Sequence, residues 1–350
     1  MRQPKGFRPF TENMGQTLLL PHTAWSFTLQ PQRLHFQSLE GGVEEEITLH
    51  WPGGVRHLMA FQELDRGGIT CFIDKRWRYR LLPHEGGMRL TLLRSPPEGI
   101  SVGFSGKKQT LHRGEGVDIP WGKRIIDPQV KTMIHCGVHK ALCWERLVRR
   151  NSLAEILPLW HHLGRGYPSL ALSNLGNGEL VEGLKAAIVE RNRLKTEPLL
   201  LDLFAVAFSQ GGAPTFHDPH QRGLTPPLTS PPSALPLLGS LSSLLLSLFL
   251  RMEGERLQLF PCLPPSLHCG NITGYSAWGG GLLIALRWVK RRPFQLTLSP
   301  ARSGSIAIDL PKGLTSFRVR DGRGDSGHRY RGGDPLTLIA GKTYQIDRFI

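Results

Sequence analysis

Between residues 17 and 104 apolar and polar positions alternate in short runs, with the two-residue period of strands that bury one face. The runs 17–20, 25–29, 33–36, 46–49, 57–61, 70–73, 77–82, 88–93 and 100–104 are predicted strands. Turn chemistry separates them: Gly41-Gly42, Pro52-Gly53-Gly54, Gly67-Gly68, Gly86-Gly87 and Pro96-Pro97. Short strands at that spacing predict an antiparallel β-sandwich over 1–127, closed by a loop at 114–127.

From 128 to 252 the period lengthens to that of helices, predicted at 140–150, 152–163, 179–193, 198–208 and 235–250. Ser152 followed by Glu155 has the spacing of a capping box, and Pro158 is placed to kink the helix it opens. Residues 211–236 read as a Pro- and His-rich loop. Five helices make a short bundle or part of an α/α barrel. The stretch 224–250 carries no charge, but Pro231, Pro232 and Pro236 leave too short a helix to span a bilayer, so it is read as a core helix rather than a membrane segment.

The period of two returns after the charged corner 251–256, with strands predicted at 257–260, 272–278, 282–289, 294–298, 305–310, 316–319, 336–340 and 343–346. Gly341-Lys342 is predicted to join the last two as a tight hairpin. The fold class that follows is mainly β with an α-helical middle: two antiparallel β-sandwich domains, 1–127 and 253–350, flanking a helical domain at 128–252.

Composition changes this picture little. The 43 Lys and Arg against 28 Asp and Glu give a net charge of +15, which admits anionic partners. The charge is dispersed and not gathered into a stripe, which argues against nucleic acid; an anionic membrane surface or an acidic glycan stays physically possible. Five cysteines without a CxxC pair, and no apolar core behind the basic N-terminus, predict a reduced, cytoplasmic protein. His135, Cys136, His139 and Cys143 have helical spacing for a zinc pair, yet one pair cannot close a tetrahedral site; no metal and no cofactor is expected. Phosphate cradles, dinucleotide fingerprints and nucleophile elbows are absent from the sequence. The tryptophans Trp25, Trp51, Trp77, Trp121, Trp144, Trp160, Trp278 and Trp288 are expected mostly to pack in cores and are also the candidate stacking platforms for sugar rings.

One junction carries a family resemblance. The helix ending near Leu250 is followed by Gly254, Glu255, Leu257, Leu259, Phe260, Pro261, Leu263 and Pro264, and then by Gly274, Ala277, Gly279 or Gly280, Leu283, Ala285 and Trp288. This order resembles the end of the helical barrel and the start of the C-terminal β-domain in family-95 glycoside hydrolases, the α-L-fucosidase-like enzymes. The architecture also loosely resembles proteins of chlamydia-type bacteria. The family-95 resemblance implies an inverting hydrolase whose base is an aspartate before the last barrel helix, assisted by asparagines. The residues just before that helix, 226–239, contain no carboxylate, so Asp218 is the candidate base, with Asn174 and Asn177 as its asparagines. Glu155 is a candidate acid, and His217 and His220 are candidate sugar contacts. A site so thinned predicts either a degenerate hydrolase or a non-catalytic carbohydrate-binding or scaffold protein descended from one.

Overall fold

Alternating side chains sort themselves onto two faces, and the N-terminal segment closes its apolar faces against each other. The computed structural model describes residues 7–122, 124, 132–138, 140–167, 179–207, 235–322 and 324–350. In chain order the strands here are β1 (Phe10–Thr11), β2 (Thr17–Leu20), β3 (Trp25–Leu29), β4 (Arg33–Ser38), β5 (Glu44–His50), β6 (Leu58–Gln62), β7 (Ile69–Ile73), β8 (Trp77–His84), β9 (Gly87–Arg94), β10 (Ile100–Phe104), β11 (Lys107–Leu111) and β12 (Gly116–Ile119). They form two six-stranded sheets, β1-β6-β7-β8-β9-β12 and β11-β10-β5-β4-β3-β2, with every pairing antiparallel. Leu58, Ala60, Cys71, Tyr79, Leu81 and Leu90 of one sheet are buried with Phe27, Leu34, Phe36, Ile47 and Val102 of the other. Where a loop was predicted after Gly114, β12 completes the first sheet against β9.

The segment after the sandwich contributes a short strand, β13 (Met133–His135), which pairs with Thr273, Ile272 and Asn271 on the far side of the helices. His135, whose spacing could have set it on one helix face with His139, lies on this strand. His139 lies outside the described residues, and Cys143 caps the following helix. Among the described residues no three His, Cys, Asp or Glu side chains cluster as a metal site.

The helices are α1 (Trp144–Arg150), α2 (Leu153–Gly164), α3 (Glu179–Val189), α4 (Arg193–Ala207) and α5 (Leu235–Leu246). The second is apolar almost all round and buried along nearly its whole length. A side chain at Gly164 would meet the carbonyl oxygen of Leu238 at 2.3 Å, so this glycine lets α2 and α5 approach closely. Two details depart from expectation. The capping box does not form: Ser152 makes no side-chain cap, and the Glu155 carboxylate turns to Arg150. The fourth helix begins before Pro198 because Asn192 caps it: its Oδ1 accepts the backbone N–H of Lys195 at 3.2 Å. No helix among the described residues is long and apolar enough to cross a membrane.

The C-terminal segment contains β14 (Leu250–Glu253), β15 (Arg256–Leu259), β16 (Cys269–Ala277), β17 (Leu282–Val289), β18 (Arg292–Pro300), β19 (Gly304–Asp309), β20 (Ser316–Arg320), β21 (His328–Arg331), β22 (Pro335–Leu338) and β23 (Tyr344–Asp347). Seven strands form the sheet β13-β16-β17-β18-β23-β20-β21, and four form β14-β15-β19-β22. The charged corner is itself a hairpin, β14 to β15, turning at Gly254-Glu255. The predicted hairpin at Gly341-Lys342 does not form. Strand β22 pairs with β19 and β23 with β18 and β20, so this turn carries the chain from one sheet to the other.

Candidate functional site

Of the six residues proposed from sequence, five lie outside the described residues: Asp218, His217 and His220 within 208–234, and Asn174 and Asn177 within 168–178. The sixth, Glu155, stands in the first turn of α2 and is 4% exposed. Both of its oxygens accept hydrogen bonds from Arg150 Nε, at 2.9 Å each, and Arg150 Nη2 closes the fork. That hydrogen bond, with the attraction of the carboxylate, holds the Arg150 guanidinium above its ordinary pKa. A carboxylate with both oxygens given to a guanidinium pins α1 to α2.

A second polar group sits where the sandwich, the helices and the last sheet meet. His22 occupies the turn between β2 and β3 with φ of 66°; its Nε2–H donates to Leu64 O at 3.0 Å. His161 on α2 donates from Nε2 to Thr132 O at 3.3 Å, and the Ser242 hydroxyl of α5 lies 2.8 Å from its Nδ1. His162 donates from Nδ1 to Pro158 O and stacks on Phe7 at 4.0 Å. Arg165 reaches Asp65 at 3.1 Å and Thr132 O at 3.2 Å, and the Tyr167 hydroxyl donates to Thr23 O at 2.7 Å. Burial, reinforced by Arg124, lowers His22 to about 4; burial lowers His161 to about 4 as well. Burial and then Arg165 push His162 well below the ordinary histidine value. Neutral rings bonded to carbonyls, around one buried guanidinium, form a structural clasp.

The open site is elsewhere, on the outer face of the first sheet. Phe10 on β1, Phe61 on β6 and Phe72 on β7 form a row with ring centroids 5.4 Å apart at each step, and the guanidinium of Arg78 on β8 lies 5.6 Å from the Phe72 centroid. Period-two alternation puts these side chains opposite the buried Ala60, Cys71 and Tyr79. At Phe61 and Phe72 this row borders a cleft of about 610 Å³. Met59, Phe61 and Phe72 supply its apolar wall; Glu12, Arg56, His57 and Lys75 supply its polar groups. The carboxylate of Asp74, in the adjoining turn, accepts the backbone N–H groups of His57 at 2.6 Å and Arg56 at 2.9 Å, which lowers its pKa.

Trp25, Trp51, Trp144, Trp160 and Trp288 are buried in the core, as expected of most of the tryptophans, so the platform is made by phenylalanine. Phe61 and Phe72 were hidden because each belongs to a strand whose other face is also largely apolar.

No protein-family model matches the chain, and no curated protein matches it. Among the solved structures that are similar to it is a family-127 β-L-arabinofuranosidase from Geobacillus stearothermophilus T6, with 14% identity and a TM-score of 0.20. The likeness covers 57% of this chain and 31% of that one, and it is to a glycoside hydrolase of another family, not family 95. At that TM-score it carries no argument about fold or activity.

Proposed function

We propose that the chain is a carbohydrate-binding protein that holds a glycan along the aromatic cleft of its N-terminal sheet without hydrolysing it. The observation that carries this reading is the row Phe10, Phe61, Phe72 and Arg78 beside a cleft of about 610 Å³. Aromatic faces pack against the C–H faces of sugar rings, and charged groups at the rim bond the hydroxyls. Hydrolysis would need a second carboxylate across the bond from the first. Among the described residues lining the cleft, Glu12 is the one carboxylate. The buried clasp of His22, His161 and Arg165 then serves to hold the binding sandwich against the rest of the chain.

The competing reading is an α-L-fucosidase-like hydrolase with Asp218 as base, Asn174 and Asn177 beside it, His217 and His220 on the sugar and Glu155 as acid. One experiment separates the two: calorimetric binding of neutral and acidic oligosaccharides to the purified chain, run beside hydrolysis of aryl α- and β-glycosides that include the α-L-fucoside. Binding without turnover, weakened about tenfold or more in Phe61→Ala and Phe72→Ala, is the expected result. Turnover abolished by Asp218→Asn would hand the protein to the hydrolase reading. Binding indifferent to both phenylalanines would remove the cleft.

A further inference from the structure

The ladder of the first sheet continues the aromatic row into a stripe of arginines. Phe72 lies opposite Arg78 across β7 and β8, Thr70 lies opposite Arg80, and Arg78 lies opposite Arg94 across β8 and β9. Like charges directly opposite on neighbouring strands destabilise a sheet. Farther along β9, Arg89 is neutralised by Asp118 at 2.9 Å. Among the described residues no ion pair joins Arg78, Arg94, Arg56 or Lys75 to a carboxylate, and the Nε of Arg78 is shielded from solvent without a hydrogen-bond partner. The guanidinium lies over Phe72 with its Nε edge closed, and its two Nη groups are not among the buried unpaired atoms, so it is placed to take a carboxylate end-on through N–H bonds from Nη1 and Nη2.

Resting on the carbohydrate-binding reading, we propose that the glycan held in the cleft is acidic, a chain of uronate units whose carboxylates sit on Arg78 and Arg94 while its rings pack on Phe61 and Phe72. Glu12 at the cleft and Asp74 beside it set the limit on charge. Two fixed carboxylates oppose a densely charged polyanion such as a nucleic acid, and Glu12 is an acceptor suited to sugar hydroxyls. One carboxylate per sugar unit fits that balance.

The test uses the full chain with oligogalacturonate as probe, its carboxyl-reduced neutral counterpart, a sulfated oligosaccharide and single-stranded DNA, each titrated at low and at high salt. Expected is binding of oligogalacturonate at least tenfold tighter than of the neutral chain, weakening as salt rises. Arg94→Gln should remove most of that preference and leave neutral binding in place, and Arg78→Gln should remove the preference as well. Arg94→Gln carries the test alone should Arg78→Gln unfold. Equal binding of the acidic and neutral chains would overturn this inference while leaving the carbohydrate reading intact. Tighter binding of the sulfated chain or of DNA would overturn it in favour of another anion. No binding of any glycan would end both.

Discussion

The indole N–H of Trp144 donates to Oε1 of Gln62 at 2.6 Å, and the Gln62 amide donates in turn to Leu19 O at 2.7 Å. Trp144 opens α1, Gln62 ends β6 in one sheet and Leu19 lies on β2 in the other, so one buried relay ties a helix to both layers of the sandwich. Trp144→Phe keeps most of the apolar surface and strips the relay of its donor. A buried acceptor left unpaired costs roughly 1–3 kcal/mol. Urea unfolding should show that loss as a lower midpoint with an unchanged slope. A midpoint equal to that of the unaltered protein would mean the relay does not contribute.

The buried histidines set an acid limit. In the folded chain His22 and His161 are lowered to about 4, chiefly by burial, with Arg124 and Arg165 adding repulsion and Asp65 opposing it at His22. Unfolded, both return to the ordinary value near 6.5. Between those limits the unfolded chain binds the protons that the folded chain refuses, so stability is full above about pH 6.5 and falls as pH drops toward 4, by up to about 3 kcal/mol for each histidine. Melting curves from pH 7.5 to 4 should show the decline, and His161→Gln should flatten it. A decline that begins only below pH 4 would point to the carboxylates.

Arg150 and Glu155 form the tightest ion pair at the helical junction. Glu155→Gln leaves the guanidinium without its counter-charge and should cost about 2–4 kcal/mol, given the burial of the carboxylate. Pairing it with Arg150→Met in a double-mutant cycle should recover much of the loss. Were Glu155 an acid catalyst, Glu155→Gln would abolish turnover of an aryl glycoside with little change in melting.

Gly270 is the close point between β13 and the last sheet. A Cβ there would meet His135 O at 2.2 Å and the Trp288 ring at 2.4 Å. Gly270→Ala must push the short strand away or shift the indole, at a cost of several kcal/mol of the kind overpacking brings. Amide exchange should rise at 133–135 before it rises at 282–289. Uniform exchange across both would place the strain elsewhere.

What the sequence disclosed, and what it withheld, follows from where each signal lives. Strands β2, β3, β10 and β17 have the predicted limits because β17 alternates along its whole length and the other three are short apolar runs with abrupt ends. Strand β11 reads KKQTL, with four of its five residues exposed, and an edge strand of that kind has no apolar signature to find. Strand β14 hid in a charged corner because its pairing is with β15 across a two-residue turn rich in charge. The turn at Gly341-Lys342 looked like a hairpin, since two flanking strands say nothing of whether they share a sheet. The cleft was illegible for a related reason. Alternation sorts Phe61 and Phe72 onto one face, and only the assembled sheet shows that this face is the outer one.

Strand β13 gives the chain a biosynthetic asymmetry. Met133, Ile134 and His135 leave the ribosome more than a hundred residues ahead of Thr273, Ile272 and Asn271, their partners. The sandwich can close early, on neighbours in sequence, whereas the seven-stranded sheet cannot gain its first edge until nearly the whole chain has emerged. Contacts of such separation form late and slowly. Translation of this protein therefore passes through a stage with one half finished and a bare strand waiting, and that stage is where a chaperone or a protease would find it.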